Sequence, residues 1–306
     1  QQYTADGLRF EFEVVAAYSV YPSSGPAAGG TLVEVGGAAI ELPDARGLFC
    51  QFGSSEPVSA THASRELVLC VAPPAEGGAI GAVPVRVLNN DAVYGSVVAF
   101  TYRALAGVDR LHPVAGVRFG GTLVTVYGHG FIGEAAARCR FGSVAVAARL
   151  LARGQLECIS PLPAVAGYVS VEVSSNGHEY SSTGVHFEYQ QPVAVRALEP
   201  SRGPIEGGTF VNVTGSGFCA RAALLGYVWC RFNSTSISAA WRSSTEVHCI
   251  APRHGSGTVS VEVTQNEQQY TADGLRFEFE VVAAYSVYPS SGPAAGGTLV
   301  EVGGAA

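Results

Sequence analysis

The sequence predicts an all-β protein: tandem β-sandwiches in an end-to-end array. Three observations carry this expectation: short runs with valine at alternate positions, a glycine-rich motif that recurs at regular spacing, and almost no helical periodicity. The motif is Pro-x-x-Gly-x-x-x-Gly-Gly-Thr, carried by Pro22, Gly25, Gly29, Gly30 and Thr31 and repeated from Pro113 to Thr122, Pro200 to Thr209 and Pro289 to Thr298. Successive motif prolines lie 91, 87 and 89 residues apart, so three domains of nearly equal length make one 267-residue period. Residues 1–39 then return letter for letter as residues 268–306. Identical units placed end to end make identical junctions, which an array needs and a single enzyme does not. The expected division is a closing strand of a preceding domain over 1–13, domains over 14–103, 104–190 and 191–280, and the start of another copy of the first domain over 281–306.

Within each domain the elements follow one order. The motif proline fixes an extended approach, and the Gly-Gly pair supplies positive φ or close backbone contact. Thr122 to Tyr127 and its counterparts Leu32 to Val35 and Phe210 to Val213 then keep valine at alternate positions, the period of a half-buried strand. Next comes a cysteine with Phe two residues on (Cys50 and Phe52, Cys139 and Phe141, Cys230 and Phe232), and about twenty residues later a second cysteine close to a proline (Cys70, Cys158, Cys249). An alternating strand such as Val169 to Val173 leads to a polar turn, signalled by Asn89-Asn90-Asp91, Asn176-Gly177 and Gln265-Asn266-Glu267. A closing aromatic strand such as Val185 to Tyr189 ends the unit. The helix-like run Glu134 to Arg138 is too short to change the class.

This order resembles the IPT/TIG domain, an immunoglobulin-like sandwich of the E-set kind. The resemblance covers the whole chain, as three complete copies and parts of two others. It implies either an ectodomain like those of plexins, scatter-factor receptors and fibrocystin-like proteins or, as in some transcription factors, a DNA-binding domain. The second is excluded by charge: the net charge is −7 and there is no lysine, so a basic face for nucleic acid is missing.

One cysteine pair at matching places in each domain reads as three disulfides, Cys50 to Cys70, Cys139 to Cys158 and Cys230 to Cys249, with buried free thiols as the alternative. Disulfides imply an oxidising, extracellular setting. Cys219 has no counterpart in the other domains and is read three ways: an inter-chain bond, a competitor for Cys230, or a small buried residue. Two sequons, Asn212-Val213-Thr214 and Asn233-Ser234-Thr235, fall in the third domain and are expected to be exposed and to carry covalent glycans. No methionine occurs and the first residue falls within a strand, so the natural start, any signal peptide and any anchor are expected outside these residues. No apolar run is long enough to span a bilayer.

Catalytic, cofactor and metal sites are not expected. Gly128 to Gly133 spells G-x-G-x-x-G but lacks the long following helix that a dinucleotide site requires. The histidines, among them His129, His178 and His254, occupy different repeat positions without partners, and the cysteine spacing does not suit zinc. Trp229 and Trp241 are too few and too local to form a carbohydrate platform.

What is left is mechanical. The stretches between the last aromatic of one domain and the proline of the next are apolar and lack a flexible spacer, so stiff junctions are expected, with roughly 100 to 130 Å per period if domains stack. The preferred reading is a structural extracellular protein, the repeating unit of a glycosylated surface fibre or matrix filament, with further copies of the same repeat as partners. The alternative is the ectodomain of an adhesion or receptor protein that binds a protein or glycan.

Overall fold

A computed structural model describes residues 16–38, 47–64, 66–89, 92–133, 135–163 and 167–305. The closing strand expected over 1–13, Asn90 and Asp91 of the first polar turn, and Glu134 lie outside the described residues. The chain is almost all strand, folded as tandem immunoglobulin-like sandwiches; the described helical segments are Glu76–Gly78 and Ala220–Leu224. It divides into two compact units: residues 1–111 with 125–158 and 170–185, and residues 112–124 with 159–169 and 186–306.

In the first unit, the opening strand of the first domain is split at the motif proline. Ala16–Tyr21 pairs antiparallel with Leu32–Ala38, Tyr21 opposite Glu34. Past Pro22 the chain crosses to the other sheet, where Ser24–Pro26 runs parallel to the closing strand Ala92–Arg103, Gly25 opposite Tyr102. Glycine is required there by space: a Cβ on Gly25 would stand 2.1 Å from Thr31 Oγ1 and 2.9 Å from the Phe100 ring. Gly29 meets a second demand, with φ at 77° and its would-be Cβ 2.6 Å from the Pro73 carbonyl carbon.

The alternation Val33, Val35 inward and Leu32, Glu34 outward gives the first core its floor, and Phe52, Val68, Val85, Val87 and Phe100 fill it. Each such side chain contributes about 1.5–3 kcal/mol on burial. Cys50 on Leu48–Phe52 and Cys70 on Leu67–Val71 are buried and joined by a disulfide, Cα atoms 6.2 Å apart, which staples the two faces of the sandwich. Val58–Ser64 serves both faces, pairing at one end with Leu48–Phe52 and at the other with Leu67–Val71.

The same unit holds the corresponding part of the second domain. Arg138–Phe141 pairs with Val144–Ala152 and with Gly167–Ser174, placing Cys139 between Val146 and Val173. Cys139 and Cys158 form its disulfide, Cα atoms 6.4 Å apart. Arg140 is ion-paired with Glu172 across the strands and lies 4.0 Å from the centre of the Tyr180 ring.

The second unit contains the third sandwich as two sheets. One is ordered Ala194–Glu199, Phe210–Ser216, Glu246–Ile250, Ala240–Ser243; the other Arg202–Pro204, Arg276–Glu280, Gly257–Thr264, Trp229–Phe232, Thr235–Ser238. Thr235–Ser238 and Ala240–Ser243 replace the single strand Val58–Ser64, and buried Ala239 between them donates its N–H to Val228 O at 2.9 Å. Cys230 and Cys249 are bonded, Cα atoms 6.3 Å apart. Arg231 repeats the arrangement of Arg140, paired with Glu262 and 3.7 Å from the Tyr270 ring centre. Parallel pairing to a closing strand recurs twice here, Ala115–Val117 with His186–Gln190 and Arg202–Pro204 with Arg276–Glu280.

The unit ends with Ala283–Tyr288 and Glu301–Ala305, paired with Tyr288 opposite Glu301. These residues spell the same letters as the first pair of strands and keep the same register.

Candidate interaction surface

The polar turns expected as tight hairpins are built differently in the second and third domains. After Ser174 no strand resumes until His186, and after Thr264 none until Arg276. Hydroxyl groups take over the ladder: Val173 N–H donates to Ser181 Oγ and Val263 N–H to Thr271 Oγ1, each at 3.0 Å.

Asn176 organises the first of these turns. Its Oδ1 accepts from Ser174 Oγ at 3.1 Å, His178 N–H at 3.0 Å and Glu179 N–H at 3.3 Å. Its Nδ2 reaches out of the domain, donating to Ser24 O in the first domain at 2.7 Å. His178 follows with its ring edge-on to Tyr21, centroids 5.5 Å apart. Asn266 does the same work in the second unit, accepting from Thr264 Oγ1 at 3.2 Å, Gln268 N–H at 3.2 Å and Gln269 N–H at 3.0 Å. Its Nδ2 donates to Thr122 Oγ1 of the preceding domain at 3.4 Å. Gln268 adds a mimic of a strand: its amide accepts from Leu123 N–H at 2.7 Å and donates to Leu123 O at 2.8 Å. Both asparagines are buried, and each Nδ2 also donates within its own turn, to Glu179 Oε2 and to Gln269 Oε1, so the one amide ties the turn to itself and to the neighbouring domain.

Small clefts accompany these contacts at equivalent positions, one lined by Ser24, Gly25, Ala104 and Asn176, the other by Gly116, Pro192, Gln265 and Asn266. Their free volumes, about 20 and 90 Å³, are far below what a drug-sized ligand needs. A wider, open groove of about 640 Å³ in the first unit is lined by Ile80, Tyr102, His129, Phe131 and Arg153. The G-x-G-x-x-G stretch lies along it, entered from the strand Leu123–His129, and bends at Gly130 with φ 72° instead of opening a helix. On the outer faces an apolar cross-strand pair stays exposed in two domains, Leu32 opposite Val71 and Phe210 opposite Ile250.

Tyr102 and Tyr189 close their sandwiches by donating to Pro73 O at 2.7 Å and Pro161 O at 2.9 Å. Burial pushes the Tyr189 hydroxyl up to about 12, and a hydrogen bond with Ser160 opposes the shift. The third domain has Phe279 at this place, stacked by His254 with centroids 5.0 Å apart.

Cys219 carries a free, half-buried thiol just ahead of the helix Ala220–Leu224. Gln190 Nε2 donates to its sulfur at 3.5 Å, and its own N–H donates to Gln265 Oε1 at 2.5 Å. Cys230 is bonded to Cys249, not to Cys219. Asn233 lies exposed in the turn between Trp229–Phe232 and Thr235–Ser238. Asn212 departs from the expectation of full exposure: it is half-buried in the middle strand of its sheet, between Glu199 and His248, and its Oδ1 is buried without a hydrogen bond. Trp229 Nε1 donates to Gly226 O at 2.9 Å, and Trp241 packs against the third core. Among the described residues no cluster of His, Cys, Asp or Glu is arranged to hold a metal, and no helix is long and apolar enough to cross a membrane.

Three stretches, residues 17–102, 107–189 and 192–279, match the family described as the IPT/TIG domain. Mouse Plexin-B2 is 28% identical over 207 residues, covering 65% of this chain and 11% of its own length. Human Fibrocystin-L is 27% identical over 155 residues, covering 50% of this chain and 4% of its own. The solved full extracellular region of plexin A4 aligns with 90% of this chain and 30% of its own at 16% identity and a TM-score of 0.42. The chain therefore spans a small part of the relatives it matches.

Proposed function

The chain belongs to the IPT/TIG domain family, and from that premise we propose that it is an extracellular segment of a receptor or adhesion protein, in which tandem sandwiches carry and position a ligand-binding surface. The observation that carries this reading is the run of three family domains together with plexin and fibrocystin relatives. One buried disulfide in each domain supports an oxidising location. Plexin and fibrocystin relatives favour a binding or adhesion role over catalysis.

The relatives favour this ectodomain over the repeating unit of a fibre. One observation still supports a filament, the 39-residue identity between the two ends, because monotony suits assembly from like copies. Surface labelling tests the main reading. An antibody against the chain is expected to stain intact, unpermeabilised cells, and the unreduced denatured protein to show one reactive thiol, Cys219, out of seven cysteines. Staining that requires permeabilisation, with seven reactive thiols, would overturn it. Electron microscopy then separates the two extracellular readings: discrete particles support a receptor, continuous threads a filament.

A further inference from the structure

We infer that Asn233, and not Asn212, is the asparagine of this chain that carries an N-linked glycan; the inference rests on the extracellular reading above. In letters the two sequons are equivalent. In the fold they are not.

Asn233, Ser234 and Thr235 are all exposed. Asn233 has φ 55°, in the left-handed region that Gly53 and Gly142 occupy at φ 63° and 60° in the corresponding turns. Asparagine tolerates that region better than other side-chain-bearing residues, so the turn admits an attachment point without strain. Its backbone N–H is satisfied by Ser260 O at 2.9 Å, while its side-chain amide makes no hydrogen bond among the described residues. The Nδ2 is therefore free to react and has space around it for a sugar.

Asn212 is held on both sides, by Ala194–Glu199 and by Glu246–Ile250. Its amide oxygen is buried, and the His248 ring beside it packs on Phe210 with centroids 4.5 Å apart. Asn212 thus presents its amide from within a sheet, half-buried and with His248 opposite it, where Asn233 presents its own from an exposed turn.

The donor class is an oligosaccharide carried on a polyprenyl pyrophosphate. Asn233 Nδ2 bonds to the anomeric carbon and gives up one proton; the bond from that carbon to the pyrophosphate oxygen breaks, and the polyprenyl pyrophosphate leaves with the electron pair. The position has a use. Asn233 lies two residues before the start of Thr235–Ser238, the edge strand of its five-stranded sheet, and a glycan there bars another strand from pairing along that edge.

The test is the full chain secreted by a eukaryotic cell, treated with a glycan-releasing amidase in heavy-oxygen water, which marks each formerly glycosylated asparagine as labelled aspartate. Label is expected at 233 in most molecules and absent from 212. N233Q is expected to abolish the mass lost on treatment and N212Q to leave it unchanged. Label at 212 equal to that at 233, or a secreted, disulfide-bonded chain with 233 unlabelled, overturns the inference and leaves the extracellular reading standing. Seven reactive thiols in the unreduced denatured protein would instead overturn that reading, and this inference with it.

Discussion

Replacing Asn266 by alanine tests whether the docking turn depends on one side chain. The substitution removes the acceptor shared by Thr264 Oγ1, Gln268 N–H and Gln269 N–H and the donor to Thr122 Oγ1. At about 1 kcal/mol net for each of the three accepted bonds, the turn loses about 3 kcal/mol, roughly a 10²-fold shift in its local opening equilibrium. Asn266→Asp keeps the acceptor and loses the donations to Thr122 Oγ1 and Gln269 Oε1, which separates the three accepted bonds from the donated ones. Amide hydrogen exchange reads the effect directly. In Asn266→Ala the amides of Gln268 and Gln269 are expected to exchange about 10² faster, while Val213, in the core strand Phe210–Ser216, keeps its protection. A change of less than about threefold at those amides would refute the assignment of the turn to Asn266, given that each 1.4 kcal/mol is a factor of ten.

Removing the third disulfide by Cys230→Ala with Cys249→Ala is expected to cost about 3 kcal/mol in denaturant titration, from the loop it closes over a separation of 19 residues; a loss below about 1 kcal/mol would show that packing alone holds the two faces. Gly207→Ala is expected to destabilise the third domain more than Gly208→Ala. Both positions have positive φ, but only at Gly207 does a Cβ meet backbone, 2.6 Å from the Pro252 carbonyl carbon, and such overpacking adds about 1–3 kcal/mol. Equal losses at the two glycines would remove the steric argument. Because the folded Tyr189 hydroxyl titrates near 12 against an ordinary 10, the unfolded chain loses its proton first; stability should fall as pH rises through that window, and Tyr189→Phe should flatten the fall. A pH profile unchanged by Tyr189→Phe would count against it.

Much of the fold was legible because steric and periodic constraints speak in single letters. Gly25, Gly29 and Pro22 mark the place where the opening strand changes sheets, and Val33 with Val35 marks its inward face. The matched cysteines announced their partners through spacing. Asn176-Gly177 reads locally as a tight hairpin, yet the Asn176 side chain spends its hydrogen bonds on an open turn and on Ser24, 152 residues away. The pairing of Arg140 with Glu172 and Tyr180 left a trace in the sequence, a Cys-Arg-Phe strand facing a Val-Glu-Val strand, which becomes readable only once the cross-strand register is known. Alternation places Asn212 away from the core but does not give its exposure: with His248 opposite it the residue is half-buried, while Glu34 at the equivalent place is exposed.

The split opening strand has a mechanical outcome. Ser24–Pro26 lies parallel to the end of Ala92–Arg103, as Ala115–Val117 does to His186–Gln190 and Arg202–Pro204 to Arg276–Glu280. A tug that draws a domain's two ends apart therefore slides those strips past each other lengthwise and strains their hydrogen bonds together, whereas strands peeled from one end would give way bond by bond. Traction reaches that patch of backbone before it reaches the core.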